Sequence, residues 1–439
     1  MFYIDRETEI TTDLLSKMLV KFNTERRPKL QKWYDYYSGN HAILQKQYKD
    51  TSKVCNRIVT NYCSVIAQEF AGYIAGQPVS YHSEEDIEDI QEVIDANDDS
   101  QDIDWLTNAL IFGSGVELYW LNSEAQVRYS QINPLNCFII YSNDLEQEIL
   151  AAVRWYDRSN IDDDDTVIVE LYDKDKKTVF KCIGLGGELS FLEEEYHYFK
   201  DVPVSVFHLN GTDESIFNGI ITLQDAYNEL QSCEIDEFSQ WADAYLALTN
   251  VDAERDDIAS MKEQRVLCLP EGATASWLVK NASDTQIENM LLNVRKNIFK
   301  IANAPDLSDE NFMAQSGVAI QYKLVGFENA ASAIVARFTK AIQRRLRLIC
   351  NILNIKASDV IAREVSVTFT RNLPVNTAEI AQLVPMLKNV VSDRTLLAQI
   401  PWVDDPEAEL EAVHEQKVTN SAINYIGSPN SFYPEEDEL

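Results

Sequence analysis

The sequence predicts an α+β fold built to pack against copies of itself, on three observations. Residues 116–209 hold short runs of β-branched and aromatic side chains separated by turn residues. Helical periodicities lie on both sides of that region. Two amphipathic stripes, over 221–250 and 284–303, flank a small charged insert. Strands gathered in one stretch with helices segregated around them are the α+β pattern.

The N-terminal elements follow from spacing and stop signals. Leu14, Leu15, Met18, Leu19 and Phe22 recur at helical intervals within residues 10–50, and Gly39 ends the aromatic run that begins at Trp33. A second helix is expected from Asn56 to Ala75, closed by Gly76-Gln77-Pro78. An acidic helix covers Glu84 to Ala96, and Asp102 is placed to cap a helix running through Trp105, Leu106 and Leu110 towards Gly113. The expected strands are Val127–Ile132, Phe138–Tyr141, Val167–Tyr172, Thr178–Ile183 and Val204–Leu209, forming an antiparallel sheet. Their turns are Asn133-Pro134, Asp173-Lys174-Asp175 and Gly184-Leu185-Gly186-Gly187.

Beyond the sheet, Leu223, Tyr227, Leu230, Phe238, Trp241, Tyr245 and Leu248 form a nearly heptad stripe, interrupted at Glu234. Such a helix is a rod of about 40 Å. Ile287, Leu291, Val294, Ile298 and Ile301 form a second stripe with alternating four- and three-residue steps. The insert between them offers two strand candidates, Arg265–Leu269 and Ala275–Val279, around Pro270-Glu271-Gly272. An acidic loop broken by Pro305 precedes a long helix over Gly317–Leu353. Helices are expected near Ala378–Val391 and Pro406–Gln416, and the acidic end, 421–439, is expected to be disordered.

Composition narrows the function classes. The chain of 439 residues carries 71 acidic and 38 basic side chains, a net charge of -33, which argues against a protein that wraps nucleic acid on a basic surface. Solubility and a surface that must not stick to a polyanion both remain open as reasons. Seven scattered cysteines without a C-x-x-C read as free thiols. No two of the five histidines share a helical metal-binding spacing. There is no phosphate-binding loop with Lys-Ser/Thr, and Gly113-Ser114-Gly115 is not a nucleophile elbow. Asp162–Asp165 lacks the spaced ligands of a calcium loop. No catalytic, cofactor or metal site is therefore expected, and the chain reads as non-enzymatic. Neither a signal pattern nor an apolar run of about 18 residues is present, so a soluble chain made inside a cell is expected. One basic feature stands out: Arg337, Lys340, Arg344 and Arg347 share a helical face, with Arg345 beside them. They read either as phosphate contacts or as partners for acidic surface on this chain or a neighbouring copy.

The ordered segments resemble the portal proteins of long-tailed bacteriophages, in the family whose prototype infects Bacillus. The matching stretches are Tyr36-Tyr37-Ser38-Gly39-Asn40-His41, Asn56-Arg57-Ile58-Val59-Thr60-Asn61-Tyr62 and Gly72 to Val79. They continue with Asp225-Ala226-Tyr227-Asn228, Pro305 to Phe312, Ser316-Gly317-Val318-Ala319, Tyr322-Lys323-Leu324 and Ile400 to Glu407. His208-Leu209-Asn210-Gly211 keeps only part of the polar turn expected after the sheet.

The resemblance implies a ring of about twelve subunits around a DNA channel at one capsid vertex. It implies a wing over 1–220 and 318–370, a stem of helices 221–250 and 284–303, a clip over 251–283, a channel loop over 304–317 and a crown over 371–420. Implied partners are double-stranded DNA passing without sequence specificity, the terminase large subunit, a head–tail connector, and the major capsid and scaffold proteins, with no membrane. The virion is the implied location. The channel loop would present Pro305, Asp306, Asp309, Glu310, Asn311 and Phe312, its acids bordering the lumen so that DNA slides. Arg265, Glu271 and Trp277 would belong to the docking surface of the clip. Phe238, Trp241 and Tyr245 are candidate anchors between subunits. A non-catalytic acidic scaffold or adaptor is the other reading the sequence supports.

Overall fold

The computed structural model describes the chain apart from residues 49–53, 85, 98–99, 159–164, 242–245, 250–271, 273, 278–283, 308–316, 357–360, 372–383, 389, 398–399, 401–402, 404–408, 411, 415 and 417–439. The chain divides into two compact units, Met1–Asn372 and Leu373–Leu439.

In the larger unit, helix α1 (Thr12–Lys21) continues through a π turn, Phe22–Arg26, into α2 (Arg27–Ser38). Thr11 caps α1 by accepting from the Leu14 amide, and Gly39, at φ 91°, stops α2 in the left-handed conformation a glycine adopts freely. Helix α3 spans Tyr62–Ala75, so the expected start at Asn56 is corrected. Residues 56–61 are not helical because alternate backbone amides from Asn56 to Tyr62 bond to side chains of a later helix. Helix α4 (Glu88–Asp95) is the acidic one, and α5 (Gln101–Phe112) is the core helix. Asp102 does not cap α5; it pairs with Arg345 at 2.6 Å. The chain turns from α5 at Gly113, where φ is 81° and an added Cβ would meet the Asp213 carbonyl at 2.3 Å.

Six strands, β1 (Phe2–Ile4), β5 (Cys137–Ser142), β6 (Ile149–Asp157), β7 (Thr166–Tyr172), β8 (Lys176–Ile183) and β9 (Ser190–Tyr196), form one sheet in that order. It is antiparallel throughout except that β1 pairs with β5 in parallel. A second, three-stranded antiparallel sheet has the order β10 (Val204–His208), β3 (Ser114–Leu121) and β4 (Val127–Ile132). The alternation of β5 explains how the layers meet. Phe138 and Ile140 join the main core with the helices, while Cys137, Ile139 and Tyr141 pack on Val116, Leu118 and Val204 of the small sheet.

Strands β1, β3, β6 and β9 lie outside the expected runs, as do Ser80–His82 and Ser366–Thr368. All seven residues of β9 are exposed and include Glu193, Glu194 and Glu195, so they carry no buried alternation to read. The remaining strands, β2 (Ser80–His82) with β13 (Ser366–Thr368) and β11 (Leu246–Thr249) with β12 (Thr274–Trp277), form two-stranded pairs.

Three further helices are described in the larger unit: α6 (Ile221–Trp241), α7 (Asp284–Ala302) and α8 (Gly317–Leu353). The expectation that the first stem helix reaches residue 250 is corrected, because Leu246–Thr249 is a strand. A four-residue apolar run satisfies either period, and pairing with Thr274–Trp277 decides it. α8 lies against β10 and buries Phe338 between Trp105, at 5.4 Å, and Phe207, at 4.7 Å. In the smaller unit, residues 384–387 are helical, Lys388 and Val391 form an isolated bridge, and helix α9 spans Asp393–Leu397. The segment 421–439 lies outside the described residues.

Candidate stem, channel and clip elements

The two stripes occupy α6 and α7, and these helices pack together and onto α3. Tyr62, at the start of α3, sits edge-on to Tyr227 at 5.1 Å and to Phe299 at 5.4 Å. On α6, Tyr227 is buried and Leu230 half-buried. On α7, Ile298 is fully buried, while Ile287, Leu291 and Val294 are half-buried. The stripe does not end inward: Ile301 is 52% exposed, as is Met290 at 53%, and Leu292 and Ile235 are also exposed. Burying each such side chain would contribute about 1.5–3 kcal/mol. Phe238 and Trp241 lie on α6, but their side chains, and Tyr245 altogether, are outside the described residues.

At the end of α7 the chain enters the proposed channel loop through Pro305 and Asp306. Asp306 pairs with Arg295 at 2.6 Å, its side chain 18% exposed. The arrangement ties the first residues of the loop back to α7, a role that sequence spacing did not suggest. Nearby on α3, Glu69 has a buried Oε2 without a hydrogen-bond partner among the described residues. Burial, with the Asp306 charge beside it, pushes its carboxyl up to about 7. Asp309, Glu310, Asn311 and Phe312 lie outside the described residues, as do Arg265 and Glu271 of the insert. For Trp277 the backbone is described, paired with Leu246.

The basic stripe on α8 splits by burial. Arg344 is spent internally, donating to the Val204 and Val202 carbonyls at 2.8 and 3.2 Å and pairing with Asp201 at 3.1 Å. Arg337, Lys340 and Arg347 are exposed, and no ion pair among the described residues reaches them. Arg345, which the periodicity left beside the stripe, points into the core. Its Nε and Nη2 donate to the two Glu117 oxygens at 2.9 and 2.8 Å. Its guanidinium lies 5.1 Å from the Trp105 ring and 4.7 Å from the Tyr129 ring. Burial opposes the charge, but Asp102 and Glu117 outweigh it and hold the guanidinium well above its ordinary value. One signal of this was available: Glu117 is the single charged residue in Ser114–Leu121.

A second polar constellation was also missed. Gln224, Asn228, Ser232 and Asp236 follow one another every four residues on α6, and all are buried. Their regular spacing is visible in the sequence, but spacing alone does not show which groups the side chains bond.

Among the described residues, no group of three His, Cys, Asp or Glu could hold a metal ion, and Cys55, Cys63, Cys137, Cys182, Cys233 and Cys350 are free thiols. No described helix is long and apolar enough to cross a membrane.

Comparison with known proteins bears on all these elements together. The chain is 23% identical over 442 aligned positions to the portal protein of Clostridium phage phiCD119, covering 93% of this chain and 97% of that one. It is also 23% identical to the portal protein of Bacillus phage SPP1, covering 93% of this chain and 87% of that one. Among solved structures, the necks of empty and of native GTA particles align with 77% of this chain and 88% of theirs, at 9% identity and a TM-score of 0.47. The family described as phage portal protein, SPP1 Gp6-like, matches residues 17–421, from α1 through the second compact unit, and the chain belongs to that family.

Proposed function

We propose that this chain is one subunit of a closed ring of about twelve copies, set at one capsid vertex and enclosing the channel through which double-stranded DNA enters and leaves. It acts without catalysing a reaction. Helices α6 and α7 are the stem, the insert between them is the clip, and the residues after Ala304 approach the lumen. The clip docks the terminase large subunit during packaging and a head–tail connector afterwards, and the wing meets the major capsid and scaffold proteins.

Membership of the portal family across residues 17–421 carries this reading. The two helices support it: Ile235, Met290, Leu292 and Ile301 remain exposed on helices that bury Tyr227, Ile298 and Phe299. A neighbouring copy would cover them. The charge supports it too, since a strongly acidic chain gives a polyanion little to bind. Replacing Asp309 and Glu310 together with lysine is expected to slow packaging in otherwise assembled heads. Unchanged packaging rates would count against an acidic lumen at those positions.

A further inference from the structure

Segment 56–62 and helix α6 are joined by a ladder of hydrogen bonds from backbone to side chain. The amides of Asn56, Ile58, Thr60 and Tyr62 donate in turn to Asp236 Oδ1 at 2.6 Å, Ser232 Oγ at 3.0 Å, Asn228 Oδ1 at 3.0 Å and Gln224 Oε1 at 3.0 Å. Two residues of the segment therefore advance with four of the helix. The match is physical: four helical residues rise about 6 Å, and two extended residues cover about 6.5 Å.

The rungs interlock, so each group has one permitted polarity. Asn228 Oδ1 also accepts from Gln224 Nε2 at 3.1 Å, while Gln224 Nε2 donates to the Thr60 carbonyl at 2.6 Å. Asn228 must therefore turn its amide nitrogen outward, and there it meets His41 Nδ1 at 2.8 Å. His41 is buried, and its Nε2 faces the Tyr36 carbonyl at 2.9 Å. A carbonyl only accepts, so Nε2 carries the hydrogen, and Nδ1 must be the bare acceptor. The ladder is complete only with a neutral imidazole.

A proton on Nδ1 sets donor against donor. Turning the Asn228 amide does not help, because its nitrogen would then face the Thr60 amide and Gln224 Nε2, both donors. We infer that His41 is a proton-operated latch between segment 56–62 and helix α6, closed when the imidazole is neutral and open when it is protonated. The inference stands on the ladder geometry and does not depend on the proposed function.

Among the described residues, Tyr36 of α2 stacks on the imidazole, and the titratable groups against Tyr36 are Lys32 of α2, Asp225 of α6 and Cys63 of α3. The stacking distance is 4.7 Å, and Tyr36 donates to Asp225 at 2.6 Å, with Lys32 over the Tyr36 ring at 5.8 Å. Burial pushes Tyr36 upward and Cys63 to about 12, so both stay protonated. At the far end of the ladder, burial pulls Asp236 upward, but the Asn56 amides, the Tyr48 hydroxyl and Lys46 leave it below its ordinary range. Asp236 therefore stays charged while imidazoles titrate.

Hydrogen exchange on the full-length protein tests the latch, read as protection factors at Asn56, Ile58, Thr60 and Tyr62 relative to amides of β6–β8. Between about pH 8 and pH 5, wild-type protection is expected to fall about ten-fold, the shift from one lost buried hydrogen bond. His41→Asn keeps an acceptor towards Asn228 but cannot take the proton, so its protection should stay flat. Asn228→Asp offers a carboxylate to the imidazolium, so protection should rise as the pH falls. Constant wild-type protection, the same fall in His41→Asn, or no reversal in Asn228→Asp would overturn the inference.

Discussion

At the scale of single residues, two buried charges define the larger unit. Arg345 and Glu117 are almost wholly enclosed, and the Tyr119 hydroxyl also donates to Glu117. Removing one partner leaves the other charged and buried, which typically costs about 3–5 kcal/mol. Arg345→Met should therefore lower stability by that amount in urea unfolding, and a loss under about 1 kcal/mol would contradict the account. The double change Arg345→Met with Glu117→Leu should recover part of the loss, the remainder staying with Asp102, which pairs with Arg345 at 2.6 Å.

Glu69 makes a prediction of opposite character. Its folded-state value, near 7, lies above the ordinary 4.5, so its contribution is fully present below 4.5 and is lost as pH rises through about 7. Glu69→Gln should flatten that fall and stabilise the subunit at pH 8 by about 1–2 kcal/mol, discounted for partial solvent screening. Thermal melts at pH 5 and pH 8 compare the two, and an equal pH dependence in both proteins would argue against it.

At the scale of elements, helices α6 and α7 separate folding from assembly. Ile298 is buried within the subunit and Ile301 faces out. Ile298→Ala is expected to cost about 2–4 kcal/mol in subunit unfolding. Ile301→Asp should leave unfolding within about 0.5 kcal/mol yet reduce ring formation, as read by sedimentation. Ring yield equal to wild type would remove Ile301 from the subunit interface.

The helices were legible because their burial is one-sided: the Ile287–Ile301 stripe and the long helix ending at Leu353 follow the apolar period. Helix α3 was read six residues too long. Its upstream amides are claimed by α6, a long-range fact that no local period carries. The end of α6 was missed for the same kind of reason, since Leu246–Thr249 finds its partner beyond residue 270. The candidate site was less legible. The stem positions were visible as apolar spacing, whereas the Arg295–Asp306 pair and the ladder depend on polar side chains meeting across more than ten residues or between separate elements.

At the scale of the whole molecule, the acid excess and the exposed stem residues belong to one account. A channel that passes DNA must not hold it, and each phosphate contact that displaces a counterion adds to affinity. Arg337, Lys340 and Arg347 are exposed on α8, where an acidic neighbour suits them. Their joint replacement by glutamine should weaken association between subunits most at low ionic strength, because salt screens such pairs in wild type already. Sedimentation of both proteins across a salt series checks this, and equal salt dependence would set the cations aside.

The central claim is that this chain closes into a ring, and electron microscopy of the purified full-length protein tests it most directly. The account predicts annular particles of about twelve copies with an open axial channel. Monomers only, or open chains that never close, would contradict it.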